Sequence, residues 1–326
     1  MRAWLVKELA DPGEALHLEE LSTPTPERGE VLIRVQAAAL NFFDILLCQG
    51  KYQEKPPLPF TPGAEISGTI TAAGEGTTLK VGQRVLATPP LPSGGLAEWV
   101  SVPEEHVYPI PDSMSWEEAA SMFITYQTAY YALHRCAKIQ PGEVLLVHAG
   151  SGGVGSAAIQ LGVAAGARVI ATAGGPEKVR ICKEFGAEVA IDYLTEDFVE
   201  IVNKVTEKRG ANVIFDPVGG DTFDRSRKCI SFEGRLLVIG FAGGRIADAP
   251  TNHALVKNYS VVGVHWGLFR RLMPERVVEA HNDLMALYEK GVIRPAVFKE
   301  FPFEELPQAL NLLATRKTWG KLVVKP

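Results

Sequence analysis

The residues with the clearest chemical potential are Gly150-Ser151-Gly152-Gly153-Val154-Gly155. They follow an apolar run at 144–149 and open a small-residue run at 153–165, so the pattern predicts a strand, a glycine turn and a helix. Glycine at 150 and 152 permits a tight turn whose backbone amides approach a pyrophosphate, and Gly155 lets the helix pack close to the sheet. The positive end of that helix then faces the phosphates, with Gly152, Gly153 and Val154 as the expected contacts. His148, at the strand end, is read as a packed residue and not as a catalyst.

The choice of dinucleotide depends on the tip of the next strand, where NAD sites place an acidic residue on the ribose. Here that tip reads Thr172-Ala173-Gly174-Gly175-Pro176-Glu177-Lys178, with no carboxylate before the next helix begins. Small residues, Gly174 among them, leave room for a 2′-phosphate, and Lys178 is placed to neutralise it. Glu177 is adjacent but one step round the helix. NADPH is therefore expected over NADH.

The elements that position these residues follow from periodicity. At roughly 150 residues per domain, 326 residues suggest two domains. Short β-rich runs separated by turn signals fill residues 1–110 and predict a barrel-like lobe. Ser115-Trp116-Glu117-Glu118 is a capping box, predicting a helix from there to about residue 137. Apolar runs at 144–149, 168–172, 189–192, 213–215, 235–239 and 260–264 then alternate with helical patterns, which specifies a doubly wound parallel sheet. After residue 267 the alternation stops, leaving helices at 274–290 and 303–314 and strands at 297–301 and 321–324. That remnant is too small for a domain and is expected to return to the first lobe. The expected division is residues 1–125 with 267–326 as one domain, and 126–266 as the dinucleotide domain.

Composition excludes several classes. The 33 Lys and Arg against 38 Asp and Glu give a net charge of −5 without blocks of like charge, which argues against nucleic-acid binding and against docking on acidic membranes. With 46% hydrophobic and 22% charged residues the chain is an ordinary globular one. No apolar stretch reaches the ~20 residues of a membrane span, and the first residues lack a secretory pattern, so a cytoplasmic location is expected. Cys48, Cys136, Cys182 and Cys229 lie far apart and are read as separate reduced thiols.

The order of motifs resembles the medium-chain dehydrogenase/reductase superfamily and, more narrowly, its zinc-free quinone oxidoreductases, the group that includes zeta-crystallin. The resemblance spans nearly the whole chain. It rests on Asn41-Phe42-Phe43-Asp44, Gly50-Lys51-Tyr52, Pro62-Gly63-Ala64-Glu65-Ile66-Ser67-Gly68, Val81-Gly82-Gln83-Arg84-Val85, the glycine motif, Phe215-Asp216-Pro217-Val218-Gly219-Gly220 and Thr315-Arg316-Lys317-Thr318-Trp319-Gly320-Lys321. It implies an α/β chain, a GroES-like β-barrel catalytic lobe joined to a Rossmann doubly wound parallel sheet. Zinc alcohol dehydrogenases carry a histidine before the glutamate of the segment matching Gly63-Ala64-Glu65 and a cysteine near Phe42-Phe43. Neither is present here, nor are four clustered cysteines, so no metal is expected.

The resemblance further implies that Asn41 and Tyr52 stand beside the nicotinamide, where an amide and a phenol can donate to a carbonyl oxygen gaining charge. It puts Thr128 near the nicotinamide-side phosphate, Lys178, Tyr193 and Arg316 at the adenosine end, and the backbone of Phe241 next to the cofactor. Trp319 departs from the family by its bulk and would narrow the adenosine site. His265-Trp266 falls near the nicotinamide amide, with His265 read as packing or positioning. The implied function is NADPH-dependent hydride transfer to a quinone. Reduction of an enone, alkenal or enoyl double bond is the alternative, and a cofactor-binding, crystallin-like protein with little activity is a third. Loops at 49–59 and 266–273 would shape the substrate pocket. A homodimer is expected through the outer strand near 260–264, whose edge would otherwise be exposed.

Overall fold

In this computed structural model, which describes residues 1–326, the chain begins with β1 (Arg2–Val6) and β2 (Leu16–Glu20), an antiparallel pair. Next comes β3 (Glu30–Ala39), whose ten residues are buried at seven positions because it lies inside a sheet rather than at its edge. It is followed by β4 (Ile66–Ala73), β5 (Arg84–Ala87), β6 (Trp99–Pro103) and β7 (Val107–Pro109). The dinucleotide-type series supplies β8 (Val144–Val147), β9 (Arg168–Ala173), β10 (Val189–Asp192), β11 (Ala211–Asp216), β12 (Ile230–Val238) and β13 (Ser260–Gly263). The chain ends with β14 (Val297–Pro302) and β15 (Lys321–Lys325).

Two compact units result, Met1–Ile124 with Arg294–Pro326, and Thr125–Ile293. In the first, the sheet order is β14-β15-β3-β4-β5-β7, with β6 also on β3. All neighbours are antiparallel except β14 and β15. Its core gathers side chains from these strands and from the helix Leu306–Ala314, whose Leu306, Ala309 and Leu310 recur at helical spacing and are fully buried. In the second unit the order is β10-β9-β8-β11-β12-β13, all parallel. Counted from β8, that is 3-2-1-4-5-6, with the strand order reversing at β8, where the glycine turn emerges. The GroES-like and Rossmann expectation holds. No helix is long and apolar enough to cross a membrane.

Three expectations need correction. The boundary after the Rossmann strands falls at 293/294, not at 267, so residues 267–293 belong with the second unit. The cause is the helix Pro274–Glu289, which buries Val277, Ala280, His281, Leu284 and Met285, while Gln127 Nε2 donates to the Val277 carbonyl at 2.9 Å. The helix expected from 115 to 137 is broken into Trp116–Ala120, Phe123–Tyr130 and a π-helical turn, Tyr131–Cys136. Tyr131, the first residue of that turn, is stacked on Phe269 with centroids 4.1 Å apart. Phe269 itself lies on a helix, Trp266–Leu272, where the sequence suggested a loop.

Candidate active site

Asn41 lies just past β3, at the N-terminus of the helix Phe42–Cys48. The strands on either side of β3 decide what surrounds it. β4 pairs with β3 through Ile66 and Ala38, which sets Glu65 on one side. β15 pairs through Val323 and Ala39, with the Leu40 N–H donating to the Leu322 carbonyl, which sets Lys321 on the other. Lys321 Nζ donates to Asn41 Oδ1 at 2.6 Å and to Glu65 Oε1 at 2.5 Å, and Asn41 Nδ2 donates to Glu65 Oε1 at 3.0 Å. The second Glu65 oxygen accepts the Ile124 N–H at 2.9 Å. All three side chains are buried.

Asp44 completes the cluster. It is fully buried, and Oδ2 accepts the Asn41 backbone N–H at 2.7 Å. Burial pushes this carboxyl up to about 7, against the backbone hydrogen bonds and the Lys321 charge that favour ionisation. One turn on, burial also pushes the Cys48 thiol up to about 12, with the Asp44 charge adding to it. Tyr52 is half-buried, its ring stacked on Phe43 of the same helix with centroids 5.3 Å apart. Burial raises the phenol further above neutrality, so it remains a hydrogen-bond donor.

In the second unit the glycine turn follows β8 and opens the helix Gly153–Ala164, with Gly152 at its N-cap. The glycines divide into two kinds. A Cβ on Gly155 would stand 2.2 Å from the Ala149 carbonyl oxygen, and one on Gly150 2.9 Å from Ala171 Cβ, so both are demanded by packing. A Cβ on Gly152 would meet nothing closer than the Ala149 oxygen at 3.4 Å. The protein's own packing leaves that face open, beside the first amides of a twelve-residue helix, and such a cradle fits a pyrophosphate. His148 lies beneath it, fully buried, with Nδ1 3.0 Å from Thr172 Oγ1 and Nε2 2.8 Å from Ser226 Oγ. Ser226 spends its own proton on the Thr222 carbonyl, so His148 is the neutral Nε2–H tautomer. Burial drives its pKa down to about 3, which suits packing and not proton transfer.

The tip of β9 meets the tip of β10. Gly174 faces Tyr193 so closely that a Cβ there would be 2.7 Å from the phenol oxygen. Lys178 is half-buried in the first turn of the helix Pro176–Glu184, and burial lowers its pKa. Gly174 and Tyr193 thus line one corner. Asp192, which sequence reasoning did not single out, holds that corner together. Its Oδ1 accepts the Gly175 N–H at 2.9 Å and the Leu194 N–H at 3.1 Å. The only sequence signal was a carboxylate at a strand end.

The remaining candidates are spread over both units. Phe241 is half-exposed, with its ring packed over Gly219 on a loop held by the Ala242 and Gly243 amides on the carbonyls of Pro217 and Val218. Thr128 is partly exposed on the helix Phe123–Tyr130. Arg316 belongs to the first unit, exposed on a left-handed turn with φ 58°. Trp319 rests edge-on against Phe298 at 5.3 Å, its bulk accommodated within the first unit. His265 is exposed at the start of the helix Trp266–Leu272. Glu65 and Lys321 were quoted only as motif letters by the sequence, and their joint role appears only once three strands are aligned. No group of three or more His, Cys, Asp or Glu side chains gathers to hold a metal ion.

Comparisons with known proteins identify the family that shares this fold. Residues 27–112 match the alcohol dehydrogenase GroES-like domain, and residues 153–282 match the zinc-binding dehydrogenase family. The chain is 38% identical to the quinone oxidoreductase-like protein 2 homolog of Nematostella vectensis, over 99% of this chain and 88% of that one. The Escherichia coli quinone oxidoreductase, solved in complex with NADPH, superposes with a TM-score of 0.92 at 28% identity, covering 100% of both chains. The Thermus thermophilus quinone oxidoreductase, also solved with NADPH, is 35% identical, with a TM-score of 0.85 and 100% of both chains covered. The chain belongs to the quinone oxidoreductase group of the medium-chain dehydrogenase/reductase superfamily.

Proposed function

We propose that this protein binds NADPH on its Rossmann unit and reduces a quinone. The observation that carries the cofactor choice is the β9 tip, where no carboxylate stands and half-buried Lys178 opens the next helix. Asp192 Oδ1 is engaged by the Gly175 and Leu194 amides, and Lys178 is the cation of this unit that takes the 2′-phosphate. Gly152, Gly153 and Val154 hold the pyrophosphate, Gly174 and Tyr193 the adenosine end, Thr128 lies near the nicotinamide-side phosphate, and the Phe241 backbone neighbours the cofactor. The NADPH-bound relatives support this reading.

When bound, NADPH supplies the hydride. This chain's residues orient the acceptor and stabilise charge. The Asn41 amide and the Tyr52 phenol donate to the carbonyl oxygen that gains charge as hydride arrives. The hydroquinone product can take its proton from water, so no dedicated acid is required. The reaction is zinc-independent: a buried lysine, an amide and a carboxylate fill the position beside Glu65, and the Cys48 thiol is held protonated by burial. The working form is a homodimer joined through β13, the sheet edge, where Val261 is 39% exposed.

Initial rates of NADPH oxidation with a naphthoquinone and with an enone test the substrate class. The quinone is expected to be faster by about tenfold or more, a barrier difference of roughly 1.4 kcal/mol. A faster enone would make the protein a double-bond reductase. NADPH binding without turnover of either would leave a cofactor-binding protein.

A further inference from the structure

We propose that Glu65 and Lys321 are positioning residues that lock the Asn41 amide in one orientation, making its free N–H a donor toward substrate. This deepens the reading of Asn41 as a donor to the substrate carbonyl and rests on it.

An asparagine amide has two ends of similar shape and opposite chemistry. Left alone it can present either an N–H or a carbonyl oxygen. A lysine ammonium only donates and a carboxylate only accepts, so this pair admits a single solution. Oδ1 must face Lys321, at 2.6 Å, and Nδ2 must face Glu65, at 3.0 Å. The flipped amide would press N–H groups against the ammonium and oxygen against the carboxylate. With Oδ1 turned to Lys321 and one N–H given to Glu65, the donor that remains on the side chain is the second Nδ2 N–H. A flipped amide would instead offer a carbonyl oxygen to a developing oxyanion and raise the barrier.

The clamp is itself fixed. Glu65 is anchored by the Ile124 N–H, and Lys321 by a second bond to Glu65 at 2.5 Å. The Asn41 backbone is tied to Asp44. Burying an ion pair is a poor way to gain stability, and its better-attested use is to specify one arrangement of neighbouring groups.

The test compares Lys321→Arg, which keeps a donor-only partner, with Lys321→Gln, which can donate or accept and so permits the flip. Each is measured in the wild-type and the Asn41→Ala backgrounds, reading kcat for quinone reduction and the NADPH dissociation constant. Asn41→Ala is expected to lower kcat by about a hundredfold. Lys321→Gln should lower kcat about tenfold in the wild-type background, about 1.4 kcal/mol. It should cost nothing further in the Asn41→Ala background and leave NADPH affinity unchanged, while Lys321→Arg should retain most activity. Equal losses in both backgrounds, or loss in Lys321→Arg equal to that in Lys321→Gln, would overturn the positioning role alone. An unchanged kcat in Asn41→Ala would overturn the donor reading and the clamp with it. Should Lys321→Gln fail to fold, Glu65→Gln loosens the other jaw of the clamp and is read through the same cycle.

Discussion

Two fully buried groups, Asp44 and His148, are shifted in opposite senses, and each adds its own slope to the dependence of stability on pH. Asp44 rises from 3.8 in the unfolded chain to about 7 when folded. The folded state therefore holds a proton that the unfolded state has lost, and stability falls as pH rises from about 3.8 to about 7. His148 falls from 6.5 to about 3, so its contribution is complete above 6.5 and is lost as pH drops towards 3. Between 3.8 and 6.5 the two slopes cancel. Asp44→Asn removes one of them, so its stability should climb with pH across that window by roughly 1.4 kcal/mol per pH unit relative to the parent. Unfolding midpoints of both proteins from pH 4 to 7 check this, and parallel curves would contradict it. Lys178 gives a second prediction at this scale. Lys178→Ala should weaken NADPH by about ten- to a hundredfold, the range of a charged hydrogen bond, and NADH far less. Equal weakening in fluorescence titrations would remove Lys178 from the 2′-phosphate.

At the scale of elements, the glycine turn separates folding from binding. Gly155→Ala sets a methyl against the Ala149 carbonyl and should lower the melting temperature of the Rossmann unit, whereas Gly152→Ala meets only ordinary contact. Gly152→Ala should therefore fold normally yet bind NADPH about tenfold or more weakly, because its methyl fills the cradle. Calorimetry with NADPH titration distinguishes the two. The strand–turn–helix of this motif was legible in the sequence because its signals are local, glycines at fixed offsets between an apolar run and a helix. The six parallel strands were legible for the same reason. Asn41 was readable through family resemblance, but its clamp was not, since Glu65 and Lys321 lie 24 and 280 positions away along the chain. Strand pairing, which no local pattern encodes, brings them together. Asp192 stayed hidden because a carboxylate ending a strand is common. The helix 274–289 was misassigned because its apolar stripe shows that it packs and not on which unit.

At the scale of the whole molecule, the net charge of −5 conceals local exceptions: the buried Lys321 and the half-buried Lys178 proposed for the 2′-phosphate. The second unit also leaves an edge strand and apolar neighbours uncovered, with Leu255 81% and Val256 83% exposed on the helix Thr251–Lys257. A β13-to-β13 dimer would pair that edge, and Val261→Lys should convert it to a monomer in sedimentation velocity while quinone turnover persists. A monomeric parent would remove the dimer from the account. The central claim is that the Rossmann unit selects NADPH for reductive chemistry. Its most direct test is a side-by-side measurement of kcat/KM for NADPH and NADH with a saturating naphthoquinone. NADPH should be preferred by about tenfold or more, a preference largely lost in Lys178→Ala. Equal efficiency, or a preference for NADH, would contradict it.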